Sequence, residues 1–136
     1  MQELTLNATV ENISVVTEFV NNQLESLNCS KKIQAQIDIA IDELFGNIAN
    51  YAYNPDVGPS TVRVEVSENP LAVIITFIDN GIPFDPLKEK APDIGLPAEE
   101  RDIGGLGIFI VKQSMDDVTY EYRDGKNILK IKKNIS

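Results

Sequence analysis

The chain contains no histidine, no tryptophan and a single cysteine, Cys29. Without imidazole there is neither a histidine base nor a histidine metal ligand, and one thiol can form neither an internal disulfide nor a cysteine metal cluster. Acid–base chemistry is left to carboxylates and lysine. Basic residues are also scarce: 12 lysines and arginines stand against 21 acids, giving a net charge of -9 and a pI of about 4.4. Such a field repels a phosphodiester backbone, so nucleic acid is not an expected partner. No run reaches the roughly 18–20 apolar residues needed to span a bilayer, and the opening MQELTLNATVEN has no basic n-region or apolar h-region. A cytoplasmic protein without membrane contact is expected. The remaining composition is ordinary: 43% hydrophobic content over 136 residues suits one unit, 1–136, with a sizeable core. There is no internal repeat and no low-complexity segment.

Hydrophobic periodicity orders the chain. ELTLNAT, 3–9, alternates weakly as an edge strand would, and a first helix is predicted over about Asn12 to Leu27. The stretch Ser30 to Tyr53, opened by a serine able to cap free amides, reads as the central helix. Its residues Ile33, Ile37, Ile41, Leu44, Ile48 and Ala52 form one apolar stripe. Val62, Val64 and Val66 alternate with polar residues in a half-buried strand, whereas LAVIITFI, 71–78, is apolar almost throughout and predicts a central strand covered on both faces. From Ile82 to Ile103 four prolines and scattered charges break any period, which predicts a lid. A glycine-led helix follows over 104–116, then a hairpin turning at Asp124-Gly125, with Leu129 and Ile131 facing inward. This order predicts an α+β two-layer sandwich: a mostly antiparallel sheet with helices on one face.

Three places in this order carry candidate chemistry. Glu43, Asn47 and Asn50 share a stripe beside the apolar one, one turn apart. Taken alone, that stripe is the solvated face of an amphipathic helix; as a site, Asn47 offers a neutral oxygen suited to Mg²⁺ held mainly by phosphates and water. Glu43 lies roughly 6 Å along the axis, within reach of an attacking hydroxyl. Asp79-Asn80-Gly81 ends the most apolar strand and reads either as a hairpin turn or as a carboxylate at the mouth of the core, with Gly81 leaving room for a flat ligand. The continuation Ile82-Pro83-Phe84-Asp85-Pro86 opens the lid instead of a partner strand, which favours the second reading. Gly104, Gly105 and Gly107 stand at a helix start, where glycines let phosphate oxygens reach free amides; a flexible hinge is the alternative. Lys88, Lys90, Arg101 and Lys112 lie close by in sequence and are either local compensation for a polyanion or solvated surface charges.

Taken together, DELFGNIANYAY, FIDNGIPFDP and GGLGIFIVKQSMDDVTY resemble the three boxes of the GHKL (Bergerat) nucleotide-binding fold, shared by histidine kinases, DNA gyrase and the small anti-sigma-factor serine kinases. The resemblance covers nearly the whole chain, and its length and PFDP phrase are similar to the stand-alone anti-sigma kinases. It implies ATP and Mg²⁺ as cofactors, Glu43 as general base, Asn47 as the Mg²⁺ ligand, and Asp79 with Gly81 at the adenine. Gly104, Gly105, Leu106 and Gly107 would clamp the phosphates with the lid of about 82–103. The implied activity is phosphorylation of a small STAS-domain anti-sigma-factor antagonist, with a sigma factor as a further partner and a homodimer as a compatible state. A non-catalytic, nucleotide-dependent interaction switch is the alternative. Two positions depart from the pattern: Pro83 replaces a second glycine, and Lys126-Asn127-Ile128 stands where relatives often carry a threonine.

Overall fold

Alternating hydrophobicity becomes a five-stranded antiparallel sheet in the computed structural model, which describes residues 1–88 and 103–135, the side chains of 103–106 excepted. The strands β1 (Gln2–Asn7), β2 (Pro59–Ser67), β3 (Ala72–Asp79), β4 (Asp117–Arg123) and β5 (Lys126–Asn134) lie in the order β1-β2-β3-β5-β4. Asp124 and Gly125 both adopt positive φ, 55° and 76°, the pairing that matches the twist of a two-residue hairpin, and this turn sets Arg123 opposite Lys126. Along β3 the register places Phe77 between Val62 and Leu129, and Ile75 between Val64 and Ile131. One row further along, the facing residues are polar: Ser60, Asp79 and Asn127.

Three helices, α1 (Ile13–Leu24), α2 (Lys31–Asn47) and α3 (Ile103–Ser114), cover one face of the sheet. Each turns an apolar stripe inward: Val16, Val20 and Leu24 from α1, Ile37, Ile41, Leu44 and Phe45 from α2, Ile108 and Val111 from α3, all buried in one core with the inner residues of β2, β3 and β5. The predicted stripe on α2 is thus the core stripe. Ser30 caps α2 as expected, its hydroxyl accepting from the Ile33 amide at 3.2 Å.

Three expectations change. The first helix is α-helical only over Ile13–Leu24 and is flanked by 3₁₀ turns at Val10–Asn12 and Glu25–Leu27. The central helix stops being α-helical at Asn47 and finishes as a π turn, Ile48–Ala52. Strand β3 is not sandwiched between two layers. Its inner residues Val73, Ile75 and Phe77 lie under the helices, while Ile74 and Ile78 on the outer face are half-buried, flanked in the sheet by Glu65 and Lys132 and by Thr61 and Ile128. Long side-chain stems on neighbouring strands shield a central strand without a second layer. Of the predicted lid, 82–103, residues 89–102 lie outside the described residues.

Candidate functional site

Asp79 is the last residue of β3, 5% exposed, and sits directly opposite Asn127 on β5. The Gly81 amide and Asn127 Nδ2 both donate to Asp79 Oδ1, each at 2.9 Å. Burial raises the carboxyl pKa above its ordinary 3.8, against the opposing pull of those two hydrogen bonds. Among the described residues both hydrogen bonds to the Asp79 carboxylate fall on Oδ1. The turn after Asp79 does not fold back into a hairpin. Its path is held by the Ile82 amide donating to the Ala52 carbonyl at 3.0 Å, an approach that leaves no space at Gly81: an added Cβ would lie 2.3 Å from Ala52 O.

Asn127 is the hub of this corner. Besides Asp79, its Nδ2 donates to the Ile82 carbonyl at 2.9 Å, while its Oδ1 accepts from the Phe84 amide at 3.2 Å and from the Tyr120 hydroxyl. Sequence reading missed this residue as a contributor, although the signal was present. Asn127 shares the parity of Leu129 and Ile131 on β5, so if those two face inward, a polar amide does too.

A cleft opens between this corner and the end of α2, lined by Leu44, Asn47, Ile48, Tyr51, Ala52, Phe77, Asp79, Ile82, Phe84, Pro86, Tyr120, Asn127 and Leu129. The space between these residues, open mouth included, is about 430 Å³. Most of its wall is apolar, with Asp79, Asn47, Asn127 and Tyr120 as the polar points. Asn47 and Asp79, far apart in sequence, therefore border one cavity. Asn50 does not: it is exposed, and Tyr51 takes the lining position four residues after Asn47. A π turn is wider than an α turn, so the three-residue step that was to align Asn50 with Asn47 no longer holds. Tyr51 and Phe84 meet at the mouth with ring centroids 6.4 Å apart.

Glu43 lies one turn before Asn47, half-buried, and does not line the cleft itself. Desolvation, then the neighbouring Asp42 charge, raises its pKa above 4.5. Gly107 on α3 packs against its carboxyl group so closely that an added Cβ would lie 1.9 Å from Glu43 Cδ. The third glycine box thus brings α3 onto α2 at the candidate base. Gly104, Gly105 and Leu106 fall in the first turn of α3, and their side chains and contacts lie outside the described residues. Among the basic residues, Lys112 Nζ donates to the Leu87 carbonyl at 2.8 Å, tying 86–88 to α3, and Lys88 is exposed. Lys90 and Arg101 lie outside the described residues. Among the described residues no group of three or more acids, cysteines or histidines is placed to hold a metal ion.

Residues 6–133 match the sequence profile of the histidine kinase-like ATPase domain. The chain belongs to that family. Over 134 residues this ATPase domain is 28% identical to the serine-protein kinase RsbW of Bacillus thuringiensis (strain Al Hakam), across 96% of the chain and 82% of the relative. The RsbW of Bacillus mycoides (strain KBAB4) matches over the same span at the same identity. Among solved structures, the RsbU and RsbW domains of Rv1364c from Mycobacterium tuberculosis superpose with a TM-score of 0.66 at 14% identity. That superposition covers 99% of the ATPase domain and 33% of the longer chain, and the likeness is one of fold. No described helix of the domain is long and apolar enough to cross a membrane.

Proposed function

We propose that the chain is a Mg·ATP-dependent protein serine/threonine kinase that acts as an anti-sigma regulatory factor by phosphorylating a small STAS-type anti-sigma-factor antagonist. The observation that carries this reading is the shared cleft: a buried acceptor, Asp79, at its apolar end and Asn47 at its helical end, with Glu43 one turn beyond against Gly107. An apolar slot with one buried acceptor suits a planar base bearing an amino group. Asn47 Oδ1 is the neutral oxygen on which Mg²⁺ would rest, its other ligands coming from phosphate and water, in keeping with the lack of an acidic cage among the described residues. Bound Mg²⁺ supplies neutralisation of phosphate charge. The full-length relatives named as serine-protein kinases support the reaction class.

In this mechanism Asp79 and the cleft walls hold the base, and the start of α3, with Gly104, Gly105 and Leu106 in its first turn and Gly107 leaving room beside Glu43, offers its free amides to the phosphates. Glu43 accepts the proton of the acceptor serine or threonine hydroxyl. That oxygen then bonds to the γ-phosphorus as the bond to the β–γ bridging oxygen breaks, and ADP leaves. The raised pKa of Glu43 suits a base, because a more basic carboxylate takes a proton more readily. The test uses the purified chain, Mg·ATP labelled in the γ-phosphate, and a small STAS-domain protein from the same organism as acceptor. Phosphate should pass to the antagonist, and Glu43→Ala should lower transfer by roughly 10²–10⁴-fold, the usual contribution of a general base, while ADP still binds. Unchanged transfer by the variant would remove Glu43 from the mechanism; tight ATP binding with no phosphorylated antagonist would leave a non-catalytic switch as the function.

A further inference from the structure

We propose that Asn127 is a positioning residue for the base-reading end of the site. Its carboxamide fixes which oxygen of Asp79 faces the cleft and fastens the chain leaving β3 to the sheet. The proposal rests on the nucleotide reading above and deepens it by assigning the source of base discrimination.

The argument is one of hydrogen-bond capacity. A carboxamide has two N–H donors and an oxygen with two lone pairs. In Asn127 the donors go to Asp79 Oδ1 and the Ile82 carbonyl, and the oxygen accepts from the Phe84 amide and the Tyr120 hydroxyl. All four are used, so Asn127 has nothing left with which to contact a ligand. It acts through Asp79, whose Oδ1 is doubly occupied by Gly81 and Asn127. With Oδ1 engaged in this way, Oδ2 is the oxygen assigned to the ligand in the cleft that Asp79 lines, where an amino group is attracted and a carbonyl oxygen is repelled. Buried polar sites discriminate strongly in this way because the wrong partner leaves a desolvated group unpaired. Through Ile82 and Phe84 the same carboxamide holds the root of the 82–88 segment. A hydroxyl at this position could donate to Asp79 but could not also bridge to both Ile82 and Phe84.

The test compares the unaltered chain with Asn127→Ala and Asn127→Thr, each checked for a folded circular-dichroism spectrum. Two readouts are taken: affinity for ADP against inosine diphosphate, which carries a keto group in place of the amino group, and hydrogen exchange at the Phe84 amide without ligand. The unaltered chain should prefer ADP. Asn127→Ala should weaken ADP binding at least about tenfold, the consequence of losing a hydrogen bond to a charged group, should bring the two affinities together and should speed Phe84 exchange. Asn127→Thr should recover part of the discrimination while Phe84 exchange stays fast. If the alanine variant does not fold, the threonine variant decides on the same two readouts. Equal discrimination in the variants and the unaltered chain, or Phe84 protection that survives loss of the carboxamide, would overturn the proposal. Failure of the unaltered chain to bind ADP at all would instead overturn the nucleotide reading, and this assignment with it.

Discussion

Asp79 is a charge placed where water reaches it poorly, and its energetics follow from that. Burial raises its folded pKa above 3.8, so the native state holds the carboxyl proton more tightly than the unfolded chain does. The contribution of Asp79 to stability is therefore most favourable when it is protonated and declines as the pH rises from 3.8 through the folded value. Asp79→Asn keeps an oxygen for the Gly81 and Asn127 donors and removes the charge. It should melt at or above the temperature of the unaltered chain near neutral pH, with the gap closing as the pH falls toward 3.8. ADP binding should be lost at the same time, since an amide in place of Oδ2 no longer offers a second acceptor. Thermal melts across that pH range with calorimetry check both outcomes; a variant that melts lower near neutral pH would show that the carboxylate is stabilised by its donors more than burial disfavours it.

At the scale of elements, the end of α2 does more than the helix pattern indicates. The π turn Ile48–Ala52 brings Tyr51 and Ala52 to the cleft and presents the Ala52 carbonyl to the Ile82 amide. That contact explains the glycine at 81, because the group an added Cβ would strike is backbone and cannot swing aside. Gly81→Ala should cost about 1–3 kcal/mol, the usual penalty for overpacking a close approach, read as a lower urea midpoint at unchanged slope. The start of α2 is simpler. Ser30→Ala removes the acceptor for the Ile33 amide and should cost about 1 kcal/mol. Ligand affinity should be unaltered, because Ser30 lies at the opposite end of the helix from Asn47.

Across the whole molecule one core links every piece of the site. Phe45 and Leu44 on α2 and Phe77 on β3 are fully buried in it, and Leu44 and Phe77 also line the cleft. Sheet and helices therefore cannot loosen separately without disturbing the distance between Asp79 and Asn47. Phe45→Ala should destabilise by about 3–5 kcal/mol, a large share of the roughly 5–15 kcal/mol available to a domain. Chemical denaturation followed by fluorescence of the native tyrosines should show a single transition moved to much lower denaturant. Two separate transitions would show that the layers unfold independently.

Local pattern was enough to read most of the fold: period-two alternation for β2, β4 and β5, the α2 stripe, the Ser30 cap and the Asp124-Gly125 turn all express preferences set within a few residues. The three boxes were likewise legible, and the profile match over 6–133 shows the family they indicated. Tertiary structure decided what depends on neighbours distant in the chain. The register that puts Asn127 opposite Asp79 is set by how β3 and β5 pair, and the approach of Gly107 to Glu43 by how α3 packs on α2. The widened turn that moves Asn50 out and Tyr51 in is likewise invisible to a period of 3.6. Periodicity reports which face of an element is apolar, whereas a site is made by contacts between elements, and those are settled only when the core closes.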